Sequence, residues 1–185
     1  MKNIPIKLYD IEIKATDDTL SKFITSQNKY VPSGINMINA PLMWNKGYKG
    51  NGVTIAVVDS GCILHDDLKN NIIGGKNFTS EDNGNQDIYT DYNGHGTHVA
   101  GTIAGNGKVM GVAPNAKLLI LKVLEKNGNG NLQSLYDAIN YAISQKVDII
   151  SMSLGCSLDI TEIHTIIKKA VDNNIMIVCA SGNSG

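Results

Sequence analysis

From residue 53 onward, the apolar residues of this chain follow two alternating patterns. Short continuous runs of aliphatic and β-branched residues predict strands buried on both faces; these runs are residues 53–58, 117–124, 147–154 and 175–180. Apolar residues that recur every three or four positions predict helices; these segments are residues 96–105, 132–143 and 163–171. Because strands and helices alternate, we predict an α/β fold in three layers, with a mostly parallel sheet, right-handed crossovers and helices on both faces.

The pattern changes at both ends of the chain. Residues 1–31 are rich in Lys and Asp, show little apolar periodicity and lead into the turn-forming sequence V-P-S-G at 31–34. We interpret residues 1–31 as an N-terminal extension and residues 32–185 as the domain, although composition alone is equally compatible with a solvated tail or a first strand. The last apolar run has no helix after it to cover the sheet, so we expect the domain to be incomplete at its C-terminus.

The composition excludes several classes of protein. The chain has 185 residues and is 42% hydrophobic, which suffices for a core and is too apolar for a disordered chain. Its net charge of −1 offers no basic footprint for nucleic acid. No apolar run is long enough to span a membrane, and the N-terminus has no secretory signal. The three cysteines, Cys62, Cys156 and Cys179, cannot all pair, which favours reduced thiols in a cytoplasmic protein.

Three polar residues lie where a parallel α/β sheet binds ligands, outside the carboxyl ends of its strands. Asp59 follows the first apolar run, His95 lies in a glycine-rich turn before a helix, and Asn183 follows the last run. Each has a structural explanation as well, since such an Asp is usually a turn or cap residue and such an Asn a left-handed turn residue. His98, three positions after His95, lacks the further ligands that a metal site needs.

The longer sequence strings around these residues favour a catalytic role over a structural one. They are V-V-D-S-G at 57–61, D-Y-N-G-H-G-T-H-V-A-G-T at 91–102, G-V-A-P at 111–114, S-M-S-L-G at 151–155 and A-S-G-N at 180–183. In this order and approximate spacing, they resemble the subtilisin family of serine peptidases, and the resemblance extends from about residue 32 to residue 185. Residues 71–79 and 139–155 resemble the bacterial intracellular subtilisins in particular.

The resemblance implies a serine endopeptidase that uses an Asp-His-Ser triad. Asp59 would orient the imidazole of His95, and His95 would act as the general base. Asn183 would donate a hydrogen bond to the oxyanion of the tetrahedral intermediate.

The resemblance also implies a cleft for an extended polypeptide, bound by strand addition. Its two edges would be Gly128, Asn129 and Gly130 on one side and Ser153, Leu154 and Gly155 on the other. Ala180, Ser181 and Gly182 would line the pocket for the residue before the scissile bond. The implied partners are polypeptide substrates, and the resemblance is compatible with a homodimer of the full-length protein.

The nucleophile of the family is missing from this sequence. Its serine lies in a G-T-S-M-A string beyond the oxyanion Asn, and the 185 residues contain no such string. Two hypotheses follow: a fragment of a serine endopeptidase, inactive by itself, or a truncated non-catalytic relative that binds peptides. A flavodoxin-like binding domain is disfavoured, because no glycine-rich phosphate loop follows the first strand.

The family's chemistry requires no cofactor, but many of its members hold a structural calcium ion. Asp67 matches one of the family's calcium ligands. The loop at 105–110 is about three residues shorter than the family's calcium loop, and it places Lys108 where a cation would bind. The resemblance therefore makes a calcium ion at Asp67 possible in principle, whereas the positive charge of the loop disfavours it.

The N-terminal extension carries a partial match to a known inhibitory segment. Intracellular subtilisins have a short inhibitory sequence with a Leu-Ile-Pro-Tyr core, which Ile4-Pro5-Ile6 and Tyr9 match in part. Proline favours an extended backbone for itself and for the preceding residue. We therefore expect an extended segment that adds to the cleft edge at Gly128–Gly130, with a disordered tail as the alternative.

Overall fold

The computed structural model describes residues 5–8, 29–156 and 158–182. The strands in these residues are β1 (Pro5–Leu8), β2 (Thr54–Asp59), β3 (Ile72–Asn77), β4 (Lys117–Lys122), β5 (Asn129–Asn131), β6 (Ile149–Met152), β7 (Leu154–Gly155) and β8 (Met176–Cys179). The helices are α1 (Ser33–Met37), α2 (Ala40–Asn45), α3 (His95–Ala104), α4 (Leu132–Ser144) and α5 (Thr161–Asp172). None of these helices is long and apolar enough to cross a membrane.

A five-stranded parallel sheet forms the centre of the domain, in the order β3-β4-β2-β6-β8. Helix α3 packs on one face, where Ala100 and Ala104 join the core cluster that contains Ile55 and Val57 of β2. Helices α4 and α5 cover the other face, and their apolar residues cluster with Ala56 and Val58 of the same strand. Successive residues of β2 therefore serve opposite cores, as expected of a strand buried on both sides. The predicted three-layer α/β fold is confirmed.

Strand β3 was not predicted from the apolar pattern. Its sequence, I-I-G-G-K-N, contains no long apolar run, because two glycines and a lysine follow the two isoleucines. The strand forms at the edge of the sheet, where its backbone pairs with β4 from Ile72 to Asn77. The backbone of Gly75 lies against the ring of Tyr89 and the carbonyl of Ile120, so any side chain at that position would collide with them.

A second, smaller sheet contains the strands β5, β1 and β7 in that order. The central strand β1 pairs antiparallel with β5, with Ile6 opposite Gly130, and antiparallel with β7, with Leu8 opposite Leu154. Ile6 is fully buried within the core cluster of α4 and the main sheet. Part of the N-terminal extension thus lies between two strands of the domain.

Candidate active site

Asp59 is the last residue of β2, the middle strand of the main sheet, and its side chain is 1% exposed. Two backbone amides that follow β4, from Val123 and Leu124, donate hydrogen bonds to its carbonyl oxygen. The amide of Ser60 donates to its carboxylate at 2.7 Å. A buried carboxylate is costly without such donors, so the end of β2 holds Asp59 in one position.

His95 opens helix α3 and faces that carboxylate. Its Nδ1 lies 2.8 and 3.0 Å from the two carboxylate oxygens of Asp59. The helix can approach so closely because Gly96 has no side chain: a Cβ there would overlap the carbonyl oxygen of Gly61. The structure therefore brings together two of the three catalytic candidates, Asp59 and His95.

The hydrogen bond to Asp59 raises the pKa of His95 above its ordinary value. Burial of the imidazole opposes this rise, and the negative charges of Asp59 and Asp91 add to it. Since Nδ1 faces the carboxylate, the hydrogen-bond network assigns the proton of the neutral imidazole to Nδ1. Nε2 is then the nitrogen with a lone pair free to accept a proton.

Asp91 organises the backbone around both residues, a role that the sequence analysis did not identify. Its carboxylate accepts hydrogen bonds from the hydroxyls of Ser60 (2.9 Å) and Thr97 (2.6 Å), and from the amides of Asn93 (2.9 Å), Gly94 (2.8 Å) and Thr97 (2.9 Å). Burial acts to raise the pKa of Asp91, but the hydrogen bonds from Thr97, Gly94 and Asn93 outweigh it and hold that pKa below its usual range. Its position four residues before His95, in the D-Y-N-G-H string, was the available signal.

Lys122 is a second residue that sequence reasoning missed. Its side chain is fully buried at the end of β4, and its ammonium group donates to the carbonyls of Ser60 (2.7 Å) and Leu124 (3.1 Å). The ammonium group also pairs with the carboxylate of Glu81 at 2.9 Å. One buried cation thus links Ser60, the residue after Asp59, to Leu124, whose backbone forms a bridge with Gly130 of the cleft edge. A lysine inside the apolar run 117–124 was the signal.

Cys62 lies close to this centre, in surroundings that disfavour the thiolate. Burial raises the pKa of its thiol to about 12, so the thiol stays protonated at neutral pH. Cys156 and Cys179 are also free cysteines.

The cleft candidates lie on the two outer strands of the small sheet. Asn129 and Gly130 belong to β5, and Leu154 and Gly155 belong to β7. Gly128 precedes β5, and Ser153 connects β6 to β7. The gap between these strands is filled by β1, whose Ile6 lies opposite Gly130 and shares a core cluster with Leu124.

The remaining candidates lie at the end of β8 or beyond it. Ala180 follows β8 and donates its amide to the carbonyl of Met152 at 3.1 Å, while Ser181 and Gly182 come directly after it. Asn183 lies outside the described residues. Its role as oxyanion donor stays a prediction.

Asp67 lies in the loop after β2, away from the Asp59–His95 pair. Its carboxylate accepts hydrogen bonds from the backbone amides of Lys108 and Val109. Within residues 5–8, 29–156 and 158–182, no group of three or more His, Cys, Asp or Glu side chains is arranged to hold a metal ion.

Comparisons with known proteins agree with the motifs. A model of the Subtilase family matches residues 50–185. The Major intracellular serine protease of Bacillus subtilis is 56% identical over 160 residues, which cover 84% of this chain and 50% of that protein. The Intracellular serine protease of Paenibacillus polymyxa is also 56% identical over 160 residues, covering 84% of this chain and 48% of that protein.

Subtilisin E of Bacillus subtilis is less similar, at 44% identity over 160 residues, 84% of this chain and 40% of that protein. The chain therefore spans about half the length of the two intracellular relatives. With the family model matched over most of the chain and the Asp59–His95 pair in place, the chain belongs to the Subtilase family.

Proposed function

We propose that this chain is the N-terminal part of a serine endopeptidase that cleaves polypeptides through an Asp-His-Ser triad. The observation that carries the proposal is the contact between Asp59 and His95, at 2.8 Å on the end of the central strand. A carboxylate that holds the imidazole by Nδ1 leaves Nε2 available as a general base. Two relatives of the chain are named intracellular serine proteases.

In this reaction, His95 takes the proton of the attacking serine hydroxyl on Nε2 and later returns it to the leaving amine. Asp59 stabilises the imidazolium that forms between these two steps. Asn183 donates to the oxyanion as negative charge develops on the carbonyl oxygen. In subtilisin, a member of the same family, loss of such a donor costs roughly 10²–10³ in rate, a value that belongs to that enzyme and sets the scale expected for Asn183.

We further propose that the serine lies outside residues 1–185. Ser60 is the hydroxyl nearest to Asp59 in sequence, but its Oγ donates to Asp91 and accepts from the amide of Gly96. These contacts commit Ser60 to the backbone around the site. No step of the proposed chemistry needs a metal ion or an organic cofactor, because the triad and its oxyanion donor supply the acid, the base and the nucleophile.

The substrate is an extended polypeptide that pairs with β5 and β7. Strand β1 supports this binding mode, since it forms antiparallel pairs with both strands and buries Ile6 against the core. Because β1 fills the gap that the substrate needs, we propose that the extension, residues 1–31, inhibits the enzyme through β1 until β1 is removed. The tether raises the effective concentration of β1 at the cleft to about the millimolar range.

The names of the two relatives favour a protein that works in the cytoplasm. The partners are then cytoplasmic polypeptides, and a homodimer of the full-length protein is compatible with this proposal. A truncated relative that only binds peptides is the competing function.

A fluorophosphonate probe, which reacts with activated serines, separates these functions. We expect the protein expressed from its complete reading frame to bind one equivalent of the probe, detected by mass spectrometry. The chain of residues 1–185 should bind none. Absence of labelling and of peptide hydrolysis in the complete protein, after removal of residues 1–28, would favour the peptide-binding function.

A further inference from the structure

Both oxygens of the Asp67 carboxylate accept backbone amides of the same chain. Its Oδ1 accepts the amide of Lys108 at 2.6 Å, and its Oδ2 accepts the amide of Val109 at 3.1 Å. The carbonyl of Asp67 accepts the amide of Asn106 at 2.8 Å. One residue thus receives three backbone hydrogen bonds from a single short loop, residues 106–110, that follows helix α3.

The same loop holds the segment that leads into the domain. Tyr30 donates its amide to the carbonyl of Lys108 at 2.7 Å and accepts the amide of Met110 at 2.9 Å. Lys29 donates from Nζ to the side chain of Asn106 at 3.2 Å. Next along the chain, Val31 packs with Met110 in a small buried cluster.

A calcium ion does not fit among these groups. Calcium binds six to eight oxygen atoms at roughly 2.3–2.6 Å. Here both carboxylate oxygens of Asp67 are engaged by amides, and Gly107 lies so close to Oδ1 that even a Cβ would overlap it. The charges that flank the loop, from Lys29 and Lys108, have the sign of the ion.

We propose that Asp67, the loop 106–110 and residues 29–31 form a calcium-independent clamp that anchors the start of the domain. The clamp replaces an ion with amide donors: the carboxylate fixes the loop, and the loop fixes Tyr30 on its other edge. Hydrogen bonds to a charged acceptor are stronger than those between neutral groups, which suits a carboxylate to this role.

The clamp also fixes the downstream end of the tether. Residues 9–28 join strand β1 to Lys29, and Lys29 lies at the edge of the clamp. A cut anywhere in residues 9–28 would therefore separate β1 covalently from the domain, so that β1 could dissociate, and would leave the start of the domain in place. No bound ion would be needed to keep that new end attached.

Thermal unfolding of the complete protein tests the clamp, using Asp67→Asn and the matched control Asp66→Asn. Asp66 is the neighbouring carboxylate, which is exposed to solvent and pairs with the nearby Lys69. We expect Asp67→Asn to lower the melting temperature by about 5 °C, and equally in EDTA and in calcium chloride, because about two charged hydrogen bonds are weakened. Asp66→Asn should shift it by less than about 1 °C.

Calcium bound elsewhere in the complete protein would stabilise the wild type and the variant alike, so the comparison isolates this loop. A calcium-dependent rise in melting temperature that is present in the wild type and lost in Asp67→Asn would overturn the proposal. These measurements need no peptidase activity, so their outcome is independent of the proposed function.

Hydrogen exchange of the wild type keeps the test valid if Asp67→Asn does not fold. We expect the amides of Lys108, Val109 and Met110 to be protected in EDTA, with no change when calcium is added. Protection that appears only with calcium would contradict the clamp.

Discussion

The two sheets of the molecule are built in opposite ways. The main sheet is parallel and its central pair, β2 and β4, is in register over six residues from Thr54 to Asp59. The small sheet is antiparallel, and its central strand makes three register pairs with β5 and two with β7. Pairing over six residues makes β2 and β4 integral to the fold, whereas the short pairing of β1 is compatible with a strand that dissociates from the small sheet.

Burial separates the two sheets in the same way. Residues Ala56, Val57 and Val58 of β2 are essentially inaccessible to solvent, and they serve the cores on both faces. In β1, Ile6 is buried, while Pro5 and Lys7 are exposed. Burial of one isoleucine contributes about 1.5–3 kcal/mol. The main sheet thus fixes the chemical groups, and under the proposed function the small sheet would exchange its central strand β1 for a substrate strand.

The largest expected effect concerns the chemistry that the main sheet supports. We expect His95→Ala in the complete, processed protein to lower kcat by about 10²–10⁴ with little change in KM, because a general base acts in the transition state. Steady-state peptide hydrolysis measures both constants. His164→Ala, an exposed histidine on α5, serves as the control. Loss of peptide binding without loss of kcat would place His95 in the cleft instead.

The buried cation at the end of the main sheet should affect stability next most strongly. Lys122→Met keeps the length of the side chain but removes the cation beside Oε2 of Glu81 and the donor to the carbonyl of Ser60. We expect a loss of about 3–5 kcal/mol in the free energy of unfolding, measured with denaturant. Lys117→Met, on the exposed start of the same strand, is the control. Equal effects of the two variants would mean that burial of the ammonium group is unimportant.

The side chain that anchors the small sheet should control inhibition without controlling the fold. We expect Ile6→Ala to weaken the hold of β1 on the cleft by about 2–5 kcal/mol, so the intact protein should show a higher initial rate and a shorter lag. Lys7→Ala, with its side chain exposed on the same strand, should behave like the wild type. An unchanged lag in Ile6→Ala would contradict this difference between the sheets, because burial of Ile6 would then not determine how firmly β1 is held in the cleft.

The smallest effect is a shift along the pH axis. The hydrogen bond to Asp59 raises the pKa of His95, and catalysis requires the neutral imidazole, so kcat/KM should rise with pH around a midpoint above 6.5. Asp59→Asn removes the group that raises the pKa, and burial then acts to lower it. The midpoint of the residual activity should therefore move to lower pH. A midpoint unmoved by Asp59→Asn would show that the carboxylate does not set the pKa.

Local sequence predicted the elements and residues whose signals are local. The run that forms β2 ends at Asp59, and the glycine-rich string around His95 lies at the start of a helix, so both residues could be placed at the sheet edge where ligands bind. The contact between them could not be measured from spacing, because it depends on how closely Gly96 lets α3 approach the residues after β2.

The supporting groups were missed for a different physical reason. Asp91 and Lys122 act through hydrogen bonds to Ser60, which is distant from both in sequence. The apolar periodicity of a sequence carries no information about such partners. The amides that donate to the Asp67 carboxylate likewise come from a loop some forty residues further along. Strand β3 was missed because backbone pairing, and not apolar side chains, defines an edge strand that contains Gly74 and Gly75.

The order of the strands sets the width of the gap between β5 and β7. Strand β2 lies between β4 and β6 in the main sheet, and β1 lies between β5 and β7, which continue from those same two neighbours. The opening between β5 and β7 is therefore two strand spacings, roughly 10 Å. A single extended backbone fits, whereas a helix with its side chains measures about 10–12 Å across and has no free backbone groups to pair. Under the proposed function, this width would select substrates by conformation: a locally unfolded polypeptide would fit between β5 and β7, and a folded one would not.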